Sequence, residues 1–390
     1  MGPIRGGVLY EKLIVVAVAV ASPTALVLAL YLASAHGQSP LFIAVSHVAT
    51  ITSFTAPVAM LALEQLVFRF GQVDAAGVRV PAMPALRVAG SVALSVACAA
   101  GYLGFHGLAE CLPAVIALIL SQALCLWLSS VFRLTGQTST AIALMGAWRY
   151  PILIWVLGER AGFGGMNLFA ASSATGLAII FMWGRLTLRG RVTTFAPSSE
   201  AVKLGSSFGL VVGTFVMAAL ATFERLAASF SGMAGSEFAN FVLFVNMAIL
   251  PAGVLSSVLA FISSADQKKA ATGRPPSRRI IGAYASVGAA GALAWLVLLS
   301  LTSRQVQFDF VMATLAALLV AARMAYAPLS GHVSAFGSIS GQLRANVISA
   351  GGLAVGALVV LTTESAVEVL TITLALWCAR AWLVRTYACS

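Results

Sequence analysis

The residues of this chain whose placement could do chemistry are ionisable and amide side chains set in or beside long apolar runs. They are Glu64, Arg149, Glu224, Arg225, Arg323 and Arg344, together with His47 and Asn246. A charge in hydrocarbon is costly unless it is paired or wet, so each position needs a physical reason. Glu64 precedes Arg69 at the end of its run, which suits an interfacial ion pair or a part in proton or cation coupling. His47 belongs to a stripe with Ser46, Thr50, Thr52, Ser53 and Thr55. Such a stripe serves helix–helix hydrogen bonding or lines a water-filled cavity. Arg149 lies between Trp148 and Tyr150, as an interfacial anchor or an inward-facing anion clamp. The same choice arises at Arg344, and Arg323 is either a snorkelling residue or part of a cavity wall. Glu224 and Arg225 are neighbours in sequence and so poor partners for each other in a helix. Asn246 is an amide at depth, which wants a partner.

These residues are set in a chain that is 60% hydrophobic and only 9% charged over 390 residues. Soluble domains carry about 25% charged residues. Apolar runs of about 20 residues recur from end to end, each long enough to cross a bilayer as a helix. The expected fold is an all-α polytopic membrane protein of about twelve spans. They cover Leu13–Ser34, Leu41–Phe68, Ala85–Phe105, Cys111–Phe132, Ala141–Leu157, Met166–Leu186, Leu204–Thr222, Phe238–Ile262, Ile280–Leu301, Phe310–Tyr326, Ala345–Thr362 and Ala366–Leu383. Arg149 and Pro151 interrupt the fifth, and Pro57 and Pro251 mark the long second and eighth. Ala33-Ser34-Ala35 has the form of a signal-peptidase site, but the preceding run is longer than a usual h-region, so an uncleaved first helix is expected.

Charge sets the orientation. With the N-terminus in the cytoplasm, inner loops hold Arg69, Arg79, Arg87, Arg133, Arg185, Arg189, Arg191, Lys203, Lys268, Lys269, Arg274, Arg278 and Arg279, and the tail adds Arg380 and Arg385. Outer loops hold mainly acids, Glu110, Glu159, Glu224, Glu237, Asp309, Glu364 and Glu368. Lys and Arg bias therefore places both termini inside. The net charge of +11 is spread along loops beside anionic headgroups and gives no nucleic-acid patch. Cys98, Cys111, Cys125, Cys378 and Cys389 form no CxxC pair and have no His at ligand spacing, so neither a zinc site nor a disulfide framework is expected, and no cofactor.

A displacement of about half the chain lays Leu32-Ala33 on Leu226-Ala227, Pro57 on Pro251 and, at nearly the same offset, Arg149 on Arg344. The polar stretch from Arg189 to Glu200 divides the chain. Residues 1–190 form one six-helix half, 191–203 a cytoplasmic linker and 204–390 the second half. An even number of spans per half relates the two by a pseudo-twofold axis along the membrane normal. A duplicated apolar plan of this kind is that of a transporter.

Glu224-Arg225-Leu226, then Ser231-Gly232 and the aromatic opening of Phe238–Phe244, with Arg149 and Arg344 opening the fifth and eleventh spans, carry a resemblance. The chain resembles the Wzx-type polysaccharide flippases of the multidrug/oligosaccharidyl-lipid/polysaccharide exporter superfamily over essentially its whole length. Glu224 stands where Asp is more usual, and the first-half hairpin has His36-Gly37-Gln38-Ser39-Pro40 in place of a Gly-Pro-rich loop. The resemblance implies alternating-access transfer of an undecaprenyl-pyrophosphate-linked oligosaccharide to the outer leaflet of a bacterial inner membrane. It implies membrane lipids, a polysaccharide polymerase and other glycan-assembly proteins as partners. Arg149, Arg344 and Arg323 would line a cationic path for pyrophosphate, since Arg binds phosphate bidentately. Glu64, Glu224, Arg225, Asn246 and His47 are the coupling or gating candidates.

Two other readings compete. A cation-coupled multidrug exporter of the same superfamily needs a membrane-embedded acid, and the first span has none between Lys12 and His36. A membrane polysaccharide polymerase or acyltransferase needs convergent His, Arg or acids on an outer loop, and the outer loops are too short to build one. The expectation is a transporter and not an enzyme.

Overall fold

A computed structural model describes residues 4–35, 40–60, 67, 71–73, 77–82, 85–162, 166–189, 192–195, 208–233, 235–249, 275–302, 309–387 and 389. Glu64, Pro251 and most of the basic loop before Arg278 lie outside them. The chain divides into two compact units, Met1–Ala218 and Ala219–Ser390. Both are helical.

The first unit contains α1 (Ile4–Ser34), α2 (Pro40–Val58), α3 (Ala85–Phe105), α4 (Leu112–Leu134), α5 (Thr138–Met145), α6 (Arg149–Arg160) and α7 (Met166–Leu188). α5 and α6 are a pair of helices bent by 50° at the break between them. The expected fifth span, Ala141–Leu157, is thus two helices, because Gly146 and the pair Arg149 and Pro151 break one continuous ladder. α4 packs against α7 and α5, and α1 packs against both α5 and α6. Gly136, with φ of 76°, ends α4 in the left-handed conformation and turns the chain into α5.

The polar connectors of this unit are not featureless. β1 (Gln72–Val73), β2 (Val78–Pro81) and β3 (Val192–Phe195) form a three-stranded sheet. β1 pairs antiparallel with β2, and β2 pairs parallel with β3 from Val78 opposite Val192 to Pro81 opposite Phe195. Alternation explains the pairing: Val78, Val80 and Val192 turn inward onto Val67 and Val131, under Trp127 and Trp183. Residues 192–195 of the expected linker are therefore a strand of the first unit.

α8 (Phe208–Phe230) runs from the first unit into the second. The second unit continues with α9 (Gly235–Ala248), α10 (Arg278–Thr302), α11 (Phe310–Phe336), α12 (Ile339–Val360) and α13 (Ala366–Tyr387). α11 packs against α10 and α13, and α12 against α13. The Asp309 side chain caps α11 by accepting from the Val311 N–H, and Ser338 caps α12 by accepting from the Gly341 N–H.

Among the described residues ten helices are long and apolar enough to cross a membrane, eleven with the bent pair as one span. Their outward faces carry Leu177, Phe181, Leu358 and Trp382, all more than 60% exposed. In water such apolar faces would have to be covered. In a bilayer they meet lipid, which is as apolar as they are.

Two helices extend farther than the residue pattern predicts. α8 continues past Thr222 to Phe230, which puts Glu224 and Arg225 inside the helix and not in the following loop. No helix breaker precedes Ser231-Gly232, and Phe223 is buried against Gly356 of α12. α11 passes Tyr326 and Pro328 and ends at Phe336. Membrane helices tolerate Pro where neighbours satisfy the freed carbonyl. Arg323 therefore lies at mid-helix and not near an inner end.

Candidate anion site

The charged core of the second unit is built from four helices. Glu224 on α8 is 1% exposed and accepts a 2.8 Å hydrogen bond from Arg323 Nη2 on α11. Its other oxygen lies 4.0 Å from Nε of Arg225. As adjacent helical residues the two point in different directions, so this contact is long, and Arg323 is the working partner. The Arg323 guanidinium lies 5.2 Å from the centre of the Trp377 ring on α13, and Tyr326 meets the same ring edge-on at 5.6 Å. A guanidinium over an indole is favourable, more so when desolvated.

Arg380 sits one helical turn beyond Trp377, on the same face of α13. Its Nη2 donates to Asn346 Oδ1 at 2.6 Å and its Nη1 to Ser349 Oγ at 3.1 Å. Asn346 and Ser349 are likewise one turn apart, on the buried face of α12. Arg380 is thus an internal residue of a span and not a tail cation. The signal that could have found it is Trp377 and Arg380 at i,i+3 inside an apolar run. Arg344, two residues before Asn346, points to the exposed side of α12. The buried arginine at this level comes from α13 instead.

Three donors in this cluster have no acceptor among the described residues: Arg323 Nε, Arg380 Nε and Trp377 Nε1. All three belong to residues with less than a tenth of their surface exposed. Buried N–H groups are rarely left unmet, and a polyanion's oxygens are the acceptors that fit clustered arginine and indole donors. Asn246 is fully buried on α9, but its Nδ2 donates to Val242 O of its own helix at 2.7 Å.

The first unit holds two smaller polar clusters. Arg149 Nη1 donates to Ser22 Oγ at 2.6 Å, and Ser22 Oγ in turn donates to Gly146 O at 3.0 Å. The guanidinium lies 5.0 Å from the Trp148 ring centre. Arg149 is half-buried at the bend between α5 and α6. A side chain at Gly146 would overlap Ser22, so α1 approaches the break because that residue is glycine. Gln122 on α4 spans the break: its Nε2 donates to Met145 O at 2.9 Å, and its Oε1 accepts from the Trp148 N–H at 3.2 Å.

His47 on α2 is buried and shares a 2.9 Å hydrogen bond between Nδ1 and the Tyr102 hydroxyl on α3. The His106 ring stacks on His47 with centroids 4.2 Å apart. His106 follows the end of α3, where Gly107 turns the chain with φ of 69°. Burial holds the His106 imidazole below its ordinary value of 6.5.

No protein-family model matches the sequence, and no curated protein matches it. The structure is similar to the crystal structure of the eukaryotic MATE transporter AtDTX14, with a TM-score of 0.58 at 15% identity, over 97% of this chain and 95% of that one. The likeness spans both units end to end, so the fold of this membrane protein is one that a MATE transporter also adopts.

Proposed function

We propose that this protein is an exporter that moves a lipid-linked, pyrophosphate-bearing oligosaccharide from the inner to the outer leaflet of a bacterial cytoplasmic membrane. The observation that carries this reading is the sign of the buried charge. Among the described residues the arginines and carboxylates that are buried are Arg225, Arg323 and Arg380 against Glu224 alone. All four lie in the second unit. Uncompensated charge in a dry interior is expensive, and a guest of opposite sign lowers that cost. A pyrophosphate offers several oxygens to donors that are otherwise unmet, while the lipid tail stays in hydrocarbon.

One observation favours a second reading, a cation-coupled multidrug exporter. Glu224 is a membrane-embedded carboxylate, which such an exporter needs. Its bond to Arg323 opposes this role, because a cation would have to displace the guanidinium first.

The deciding experiment is a deletion strain complemented with Arg323→Ala or Arg380→Ala at normal protein levels. Lipid-linked oligosaccharides are extracted and assigned to a leaflet. Deletion is expected to trap completed repeat units on the cytoplasmic side, and each variant to restore surface polysaccharide at least tenfold less well than the natural chain. Normal glycan with raised sensitivity to cationic drugs would establish the exporter instead.

A further inference from the structure

Two buried arginines of the second unit are held in opposite ways. Arg323 donates to the Glu224 carboxylate, so a negative charge sits against it. Arg380 donates to neutral groups instead, Nη2 to the amide oxygen of Asn346 at 2.6 Å and Nη1 to the Ser349 hydroxyl at 3.1 Å. Ser349 Oγ gives its own proton to Ala345 O at 2.7 Å, so toward Arg380 it is an acceptor only. Among the described residues no carboxylate forms an ion pair with Arg380.

Asn346 and Ser349 take one N–H from each Nη nitrogen, at the far end of the guanidinium. The side edge is left over, formed by Nε and the second N–H of Nη2. Nε has no acceptor among the described residues, nor has the indole N–H of Trp377 one turn away on α13. Two adjacent donors on one guanidinium edge are the fork that takes a phosphate bidentately.

We propose that Asn346 determines the specificity of the anion site: its amide fixes Arg380 without cancelling its charge, and so leaves that charge for the pyrophosphate. This deepens the function proposed above and rests on it. An aspartate has the same shape as an asparagine and accepts the same hydrogen bond. It would hold the guanidinium equally well, but it would neutralise Arg380 as Glu224 neutralises Arg323. In a buried site a carboxylate beside the fork also repels an incoming phosphate, with little water to screen it. Asn346 and Ser349 are both buried, at 5% and 7% exposure, so neither can turn out to solvent and be replaced by water.

The other charges nearby leave this role to Asn346. On α11 Arg323 already has its counter-charge in Glu224. Arg344 points to the exposed side of α12. Glu368, the acid of α13, lies in the first turn of that helix, well away from Arg380.

The test uses the purified full chain in detergent at pH 8, with farnesyl pyrophosphate and farnesol as probes that share one tail. Calorimetry gives both affinities, and their ratio is the readout. The natural chain is expected to prefer the pyrophosphate by at least about tenfold. Asn346→Asp should remove most of that preference, hold farnesol affinity within about twofold, and melt no lower than the natural chain. A merely structural role would lower the melting temperature and both affinities together. Ser349→Asp brings the same charge from the next turn of α12, should act alike, and serves if the first variant does not fold. Asn346→Ser keeps a neutral acceptor and is expected to retain the preference within about threefold. Loss as large in Asn346→Ser as in Asn346→Asp would make shape the determinant and overturn the proposal. So would aspartate variants that fold and keep the natural preference, and the anion-export reading would then still stand. Equal affinity of the natural chain for both probes overturns both.

Discussion

Deleting one partner of a buried ion pair leaves the other charged, dry and alone, which costs more than the pair itself contributes. Glu224→Gln and Arg323→Gln are each expected to lower stability by about 3–5 kcal/mol. The double variant should cost less than the sum of the two, since it leaves no orphan charge. Thermal unfolding of the purified variants in detergent checks this, and strict additivity would contradict the bond. Both residues stand out in the sequence because they are rare charges in apolar surroundings. Their pairing does not, because 99 residues separate them and only the folded bundle brings them together. Arg225 competes for the same carboxylate on paper, and helix geometry rather than residue type decides between them. Arg380 was hidden for a different reason: its nearness to the chain end makes it look like an orientation signal.

At the level of elements the informative feature is the break between α5 and α6. A 50° bend frees backbone groups that hydrocarbon cannot satisfy. Gln122 meets two of them, one with each end of its amide. Gln122→Leu is expected to leave the Met145 carbonyl and the Trp148 N–H unmet, at about 1–3 kcal/mol each. Hydrogen exchange at the Trp148 amide should quicken at least tenfold, and unchanged exchange would mean that the amide is not the support. The interruption itself was legible from Arg149 and Pro151. Its support was not, because an apolar pattern gives no sign of which distant polar side chain reaches across. Helix ends were legible where a cap or breaker marks them, as at Ala85 and Phe105 of α3. They were overrun where none does, as at Thr222 in α8.

On the scale of the whole chain, composition alone implies a helical membrane protein, since 60% hydrophobic residues leave no alternative to a lipid-facing surface. The small sheet of the first unit was not legible. Its strands are four residues or fewer, the third comes from a segment more than a hundred residues after the other two, and their valines alternate too briefly for a pattern to register. The substrate proposed above is written less plainly than the fold, because it depends on which arginines are buried. Arg323 and Arg380 are buried, whereas Arg344 is exposed.

The ion pair also has a history within each molecule. Ribosomes add about 5–20 residues per second. Glu224 is therefore made about 5–20 s before the arginine that neutralises it. During that interval α8 carries the carboxyl toward a membrane without its hydrogen-bonded partner, Arg225 lying 4.0 Å away. The expected outcome is that α8 stays beside the insertion machinery until α11 emerges. Nascent chains halted before residue 310 should then crosslink to the translocon through α8, and chains halted well after residue 336 should not. Equal crosslinking at both lengths would show that Glu224 enters lipid on its own.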